Sequence, residues 1–190
     1  IKYNIKEPQA VTTILDGQDL ISSYVLRISQ KGLISTAGFS QGLNISGVDL
    51  SQEEKHSEFQ NYIIKGEYSF GSRDRGAIIG YRLAKKLKVG IGKKVIVTMQ
   101  DVNNEVVSVA LKVSAIIKTN NMSIDANGLF MDVNLLRSLT ALKGVTEISV
   151  LLKNRDDDLK VKQELEQKIT DGNIAVYSYK ELYPSLHESE

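Results

Sequence analysis

The 190-residue chain lacks cysteine and tryptophan and has only two prolines and two histidines. The absence of cysteine excludes disulfides, thiolate metal sites and cysteine nucleophiles. Two histidines, His56 and His187, are too few to favour a histidine-rich metal site. No apolar run approaches the roughly 18 residues that a membrane span needs. Because the chain begins with Ile1 where a methionine would be expected, we expect it to be a piece of a longer protein.

The charges of the chain nearly cancel, with 24 Lys and Arg against 23 Asp and Glu. Nucleic-acid binders carry a clustered basic excess, so this balance argues against a nucleic-acid partner. The share of hydrophobic residues, 42%, is typical of a folded globular chain. A chain of this length buries roughly 70% of its unfolded surface, which is enough for one sizeable core or two small ones.

Apolar periodicity and turn residues predict a mixed fold of α-helices and β-strands. The clearest pattern is a pair of strands at 95–99 and 106–117, joined by the turn residues 101–104. Further strands are predicted within 33–48, with a break at Gly38 or Gly42, and at 129–133. Helical spacing predicts helices at 16–24, 59–66, 80–88 and 133–142.

The end of the chain predicts a βαβ-like unit. Its parts are a strand at 147–152, a helix at 159–169 and a strand at 174–179. The acidic run Asp156–Asp157–Asp158 precedes the first helical turn, where it favours helix capping over a calcium loop, because the ligand spacing of such a loop is absent. The fold class predicted from these patterns is α+β, that is, mixed α/β.

One short motif suggests a serine hydrolase. Gly38-Phe39-Ser40-Gln41-Gly42 matches the nucleophile-elbow pattern G-x-S-x-G, and His187 follows in the required order. An elbow needs a strand, a sharp turn and then a helix, whereas residues 43–48 read as a strand. The motif therefore leaves two readings, a hydrolase that uses Ser40 or a pair of glycines that bends a strand.

Two other candidate features favour structural roles. Gly90 and Gly92 resemble the start of a dinucleotide-binding loop, but the loop leads from a helix into a strand, which is the reverse of the order that such a site requires. His56 lies in the polar run 51–57, where we expect it to be a surface residue. The sequence thus predicts no catalytic residues, no cofactor and no metal, and a protein that is not an enzyme.

A series of glycine-punctuated segments resembles a known family. In order along the chain, the segments are Gly47-Val48-Asp49, Ile64-Lys65-Gly66, Ala77-Ile78-Ile79-Gly80, Leu83-Ala84, Gly90 to Gly92 and the ending Tyr177 to Leu186. Their order and spacing resemble the extracytoplasmic, or periplasmic core, domain of the MacB/FtsX-type ABC transporter permeases. The resemblance covers residues 16–186.

This resemblance implies a two-lobed domain on the periplasmic side of the bacterial inner membrane, inserted between two membrane helices of a permease. It implies a membrane-proximal βαβ-rich lobe from residues 1–48 plus 146–190 and an inserted α/β lobe from residues 49–145. The expected partners are a cytoplasmic ABC ATPase subunit, a second permease copy or paralogue, and a periplasmic carrier, adaptor or lipoprotein cargo. The expected role is to couple ATP hydrolysis to movement outside the membrane.

Within the family, the lipoprotein-releasing, LolC/LolE-like branch is the most similar, because of the tyrosine-rich ending 179–184. One member of that branch grips a carrier protein with a long Pro-containing hairpin, whereas the connection 100–105 is short and lacks proline. We therefore expect a permease without this hook, or one from another branch. By position alone, Val102, Asn103 and Asn104 are candidate partner contacts. A self-contained cytoplasmic ligand-binding module remains an alternative.

Overall fold

The computed structural model describes residues 4–182, with the side chain of Lys180 left out. The α-helices in this range are α1 (Pro8–Asp16), α2 (Leu50–His56), α3 (Tyr81–Leu87), α4 (Met122–Asn127), α5 (Val133–Thr140), α6 (Asp158–Lys168) and α7 (Tyr179–Leu182). The strands are β1 (Ile21–Thr36), β2 (Phe39–Val48), β3 (Ile63–Gly66), β4 (Gly76–Gly80), β5 (Lys94–Gln100), β6 (Val106–Ile117), β7 (Gly128–Asp132) and β8 (Glu147–Leu152). Short 3₁₀ helices lie at Phe59–Tyr62 and Arg155–Asp157.

Six strands form a closed circuit, which we call the barrel. β1 pairs with β2, β2 with β7, β7 with β4, β4 with β6, β6 with β5, and β5 again with β1. The β2–β7 and β4–β6 pairs are parallel, and the other four pairs are antiparallel. Inward-facing residues of all six strands form one hydrophobic core, which Leu83 of α3 and Leu136 of α5 complete. Closure leaves no free edge in the circuit itself.

A second, smaller unit is built from both ends of the described chain, and we call it the end region. The first half of β1, residues 21–27, leaves the barrel and pairs with β8. Helices α1 and α6 cover this two-stranded sheet and bury Val11, Leu15, Val161 and Leu165 between them. Because β1 runs through the barrel and the end region, the two units share one continuous strand.

The strands of the barrel confirm several sequence predictions. A hairpin joins β1 to β2 at Gly38, one of the two glycines predicted to break this segment, with Thr36 opposite Phe39, while Gly42 lies within β2. β5 and β6 form the predicted antiparallel pair, and α3 and α5 lie where helical spacing placed them. The mixed α/β class is confirmed.

Three local predictions were wrong. Residues 16–24 are not a helix, because α1 begins at Pro8, where proline suits the first helical turn, and ends at Asp16. The helix predicted at 59–66 is a 3₁₀ turn followed by β3, which pairs with β6. Residues 174–178 form no strand. Residues 28–48 contribute strands to the barrel, and the predicted lobe division at 48/49 and 145/146 stays a prediction.

Candidate functional site

The predicted partner-contact residues Val102, Asn103 and Asn104 form the turn between β5 and β6, and all three are exposed. The carboxylate of Asp101 accepts a hydrogen bond from the N–H of Asn103 at 2.8 Å, and Asn104 adopts the left-handed conformation with φ 63°. The N–H of Val102 donates to the carbonyl of Thr140 at 2.9 Å, which ties the turn to the end of α5. The turn is thus a short, braced tip, and its contact with a partner stays a prediction.

The structure around Ser40 does not have the strand–turn–helix geometry that a serine hydrolase requires. Ser40 lies within β2, directly opposite Ser35 of β1. The residues after Gly42 continue as strand, so Ser40 is not presented at a helix N-terminus beside an oxyanion hole. His187 lies outside the described residues. Within residues 4–182, no three His, Asp or Glu side chains come together as a metal site.

His56, which we predicted to be a surface residue, is instead buried, with 9% of its surface exposed. Its Nδ1 lies 2.7 Å from Oγ of Ser23 on β1, and its Nε2 lies 3.1 Å from Oγ of Ser149 on β8. A neutral imidazole donates from one nitrogen and accepts at the other, and each serine hydroxyl can supply the matching role. The ring therefore joins the last residue of α2 to both strands of the end region.

A buried ion pair lies beside this histidine. Arg27 on β1 donates from Nε and Nη2 to the two carboxylate oxygens of Glu53 on α2, at 2.6 and 3.0 Å. Its third nitrogen, Nη1, lies 3.2 Å from a carboxylate oxygen of Glu147 at the start of β8. Glu53 is 3% exposed, and its second oxygen also accepts from the hydroxyl of Ser57 at 2.7 Å. We call the set Ser23, Arg27, Glu53, His56, Glu147 and Ser149 the α2 clamp.

The electrostatics of the α2 clamp follow from burial and from this pairing. Burial by itself would raise the pKa of Glu53, but the hydrogen bonds and attraction of Arg27 outweigh it and hold that pKa below the ordinary 4.5. Burial lowers the pKa of His56 below 6.5, and the Arg27 cation lowers it further against the opposing pull of Glu53. Glu53 is therefore charged and His56 neutral at pH 7.

The other side of α2 is held by the barrel. The hydroxyl of Tyr68 donates to the carbonyl of Leu50, the first residue of α2, at 2.6 Å. Tyr68 also packs edge-on against Phe59 in a small apolar cluster that includes Ile78 of β4 and Ile117 of β6. α2 thus lies between the two units, with polar contacts to the end region and apolar contacts to the barrel.

The shared strand has its least supported stretch beside the α2 clamp. Residues 28–32 of β1 pair with β2 only, because the register with β8 ends at Arg27 and the register with β5 begins at Leu33. A groove of about 980 Å³ opens on that side, lined by residues 29–33 of β1 together with parts of β5, β6 and β8. Across it, the side chain of Gln30 donates to the carbonyl of Gln100. This stretch is the candidate hinge between barrel and end region.

Sequence reasoning missed the α2 clamp for a physical reason. Arg27 sits within an apolar run, and Glu53 sits in a polar run that reads as an ordinary helix start. The pairing joins residues 26 positions apart, and Glu147 joins from 120 positions away. The register of β1 with β8 sets Arg27 opposite Glu147, and the register of β1 with β2 brings α2 and Glu53 beside Arg27. No local pattern encodes either register.

The comparisons with known proteins identify the family. The family model of the MacB-like periplasmic core domain matches residues 4–168. The chain belongs to this family. No curated protein matches the sequence of the chain.

Two solved structures share the fold. The extracellular domain of the noncanonic ABC-type transporter YknZ from Gram-positive bacteria is similar with a TM-score of 0.64 and 15% identity, over 94% of this chain and 89% of that one. The periplasmic region of MacB from Actinobacillus actinomycetemcomitans is similar with a TM-score of 0.62 and 13% identity, over 100% of this chain and 86% of that one. At such identities the likeness concerns the fold alone.

Family membership confirms the resemblance seen in the sequence. A MacB-like periplasmic core domain is the extracytoplasmic part of an ABC transporter permease. The permease belongs to a transporter complex that includes an ATPase. Such domains are not enzymes, in agreement with the sequence prediction. Among the described helices, none has both the length and the apolar character that crossing a bilayer requires.

Proposed function

We propose that this MacB-like domain couples ATP hydrolysis in a cytoplasmic subunit to a conformational change outside the bacterial inner membrane. The membrane helices of the permease pull on the end region, and the end region moves against the barrel. A second permease copy or paralogue completes the transporter. No bond is made or broken in the domain itself, so its work is mechanical.

A mechanical role needs two arrangements that a partner or cargo distinguishes. A ligand shifts a conformational equilibrium only by the difference in its affinity for the two states. Packed units switch between such states by small rigid-body movements about a hinge, because a closed core does not deform continuously. The barrel is such a closed core, and β1 residues 28–32, which pair with β2 alone, continue from it into the end region.

The observation that carries the proposal is the α2 clamp. Arg27 and Glu53 join α2 to the end region, while Tyr68 joins α2 to the barrel. Any movement of the end region against the barrel must either carry α2 along or break one of these sets of contacts. A charged hydrogen-bonded pair has a strict geometry, which favours two discrete arrangements over gradual sliding.

The proposed cargo is a lipoprotein or another exported molecule, and a periplasmic carrier or adaptor is the proposed outer partner. The sequence resemblance to the lipoprotein-releasing branch supports a lipoprotein cargo. The short braced turn at Val102, Asn103 and Asn104 supports a permease that has no long carrier-gripping hairpin, with those three residues as a small contact surface.

The movement can be measured with spin labels in the full permease bound to its ATPase, because this chain has no cysteine of its own. One pair, Asn103→Cys with Lys160→Cys, spans the barrel tip and α6. A control pair, Asn103→Cys with Lys93→Cys, lies at the two ends of β5, about 20 Å apart. We expect the first distance to change by several ångström when ATP is bound and the second to stay constant.

Hydrolysis-deficient ATPase provides the reference, since it should trap the first distance at its ATP-bound value. An unchanged Asn103–Lys160 distance through the whole nucleotide cycle would contradict the coupling. Equal changes in both pairs would instead show that the barrel itself deforms.

A further inference from the structure

The near-zero net charge of the chain conceals a strong segregation of charge. Residues 59–118 hold 11 of the 24 Lys and Arg residues but only four of the 23 Asp and Glu residues. The remaining residues, 1–58 and 119–190, hold 13 basic and 19 acidic residues. The net charge of the whole chain averages over these two sets and hides a local basic surface.

Part of this basic excess is concentrated on the outside of the barrel. Lys94 of β5 lies directly opposite Lys112 of β6. The N–H of Lys112 donates to the carbonyl of Arg75 at 3.0 Å, and the N–H of Val113 donates to the carbonyl of Lys93 at 2.9 Å. Arg75, Lys93, Lys94 and Lys112 are all exposed. We call these four residues the basic rim.

The basic rim is unfavourable for the isolated domain. Like charges directly opposite each other on neighbouring strands repel, because their Cβ atoms are only about 5 Å apart. Within residues 4–182, none of the four residues forms an ion pair. Two carboxylates lie on the segment before β4, Glu67 and Asp74. Neither forms an ion pair with the basic rim. An external anion would remove this repulsion.

We propose that the basic rim is a docking surface for a polypeptide that presents a cluster of carboxylates. Charge complementarity supplies the attraction and the orientation of the encounter. Ile91, 46% exposed, precedes Lys93 by two residues and supplies the apolar contact that a protein interface has beside its charged groups. The basic rim and the turn 102–104 lie at opposite ends of β5, so this acidic protein is a partner additional to any contact at the turn.

The position of the basic rim favours a protein over an anionic membrane surface. Ile5 pairs with Val145, and Lys162 bonds to Glu181, so the first and last described residues both pack on or beside the end region. The pairing of β1 with β5 ends at Ser35 and Ile96. Ser35 lies eight residues beyond Arg27 along β1, a distance of about 26 Å, so this end of β5 is far from the end region. This step rests on the proposed function, in which the end region is the part attached to the membrane helices. The rim then faces away from the bilayer.

The test uses the 190-residue chain and three probes, at low and at physiological salt. Fluorescent poly-L-glutamate is the acidic polypeptide, vesicles with 30% phosphatidylglycerol are the membrane, and sedimentation of the chain alone reports self-association. The rim variant is Lys94→Glu with Lys112→Glu, and Lys94→Gln with Lys112→Gln serves if the first fails to fold. The control, Lys153→Glu with Lys160→Glu, makes the same charge change on exposed lysines of the end region.

We expect poly-L-glutamate to bind the native chain and to bind the rim variant about tenfold more weakly, with less than about a twofold change for the control. Equal weakening by both variants would show that net charge alone acts, and would overturn the proposal. Rim-dependent binding of the vesicles without binding of the polypeptide, or rim-dependent self-association, would also overturn it. Since neither ATP nor the ATPase is present, failure here leaves the nucleotide-driven distance change untouched.

Discussion

The barrel and the end region share β1, yet they differ in strand pairing and in the size of their apolar cores. In the barrel every strand of the circuit has two neighbours, and the core draws residues from all six strands and from α3 and α5. In the end region two helices cover a two-stranded sheet, and the apolar cluster between them has only four buried members among the described residues, Val11, Leu15, Val161 and Leu165. A two-stranded sheet is marginal by itself. The barrel is therefore the more rigid unit, and the end region can open or shift at a lower cost in free energy.

The largest expected effect comes from matched truncations in the two cores. Leu129 of β7 is fully buried between β2 and β4, and Leu15 of α1 is 2% exposed in the end region. We expect Leu129→Ala to lower the free energy of unfolding by about 3–5 kcal/mol and Leu15→Ala by about 2–3 kcal/mol, since the smaller core collapses more readily around the cavity. Denaturant titration measures both.

Hydrogen exchange then separates the two units. We expect Leu15→Ala to speed exchange in α1 and α6 while the amides of β4 and β6 keep their protection, because local opening follows cooperative units. Leu129→Ala should speed exchange throughout. The exposed Leu159 of α6 offers the control, and Leu159→Ala should change neither measurement. Uniform loss of protection in Leu15→Ala would show that the molecule is a single cooperative unit.

A smaller effect is expected at the α2 clamp, where the two regions meet. Glu53→Ala leaves the Arg27 guanidinium partly buried without its bidentate partner, and we expect a loss of about 2–4 kcal/mol. The double variant Arg27→Met with Glu53→Leu removes both charges and should recover most of that loss. Together with the single variants Arg27→Met and Glu53→Leu, it closes a double-mutant cycle, and urea denaturation of the four proteins gives the coupling energy.

The matched control is the pair of Lys162 with Glu181 on the same end region, in which the carboxylate of Glu181 is exposed. We expect Lys162→Ala to leave the urea midpoint almost unchanged, because water reaches that carboxylate and screens the pair. If Glu53→Ala were as harmless as Lys162→Ala, the α2 clamp would not hold the two regions together.

The same contrast explains how far the sequence could predict the structure. The strands at 94–100 and 106–117 follow from local alternation and a tight turn, and their bounds were close to correct. The helix predicted at 16–24 was wrong because residues 21–24 begin β1, and the helix lies earlier, at Pro8–Asp16, where it packs against α6. The α2 clamp was missed because Arg27, Glu53 and Glu147 are distant in sequence. Strands with regular alternation are thus readable from the sequence, whereas the bounds of α1 and the contacts between the units depend on tertiary packing and strand register.

The smallest expected effect is a dependence of stability on pH that arises from His56 in the α2 clamp. Because the native pKa of His56 is lowered from 6.5, the unfolded chain binds more protons than the native one at pH values just below 6.5. Stability should therefore rise with pH up to about 6.5 and then level off. We expect His56→Gln to abolish this rise, and His187→Gln, which changes the other histidine of the chain, to preserve it.

Glu53 acts in a separate, more acidic window, which lets the two groups be told apart. Its native pKa lies below 4.5, so the stability from its pairing with Arg27 is present above 4.5 and is lost as pH falls through the native value. Thermal denaturation at pH 3–8 should show two steps in the native chain. His56→Gln should remove only the step near neutrality, and Glu53→Gln should weaken the acidic one. A single step that persists in both variants would place the titrating groups outside the α2 clamp. Helix α2 would then be held mainly by the barrel, through the hydrogen bond from Tyr68 to Leu50 and the apolar cluster around Phe59.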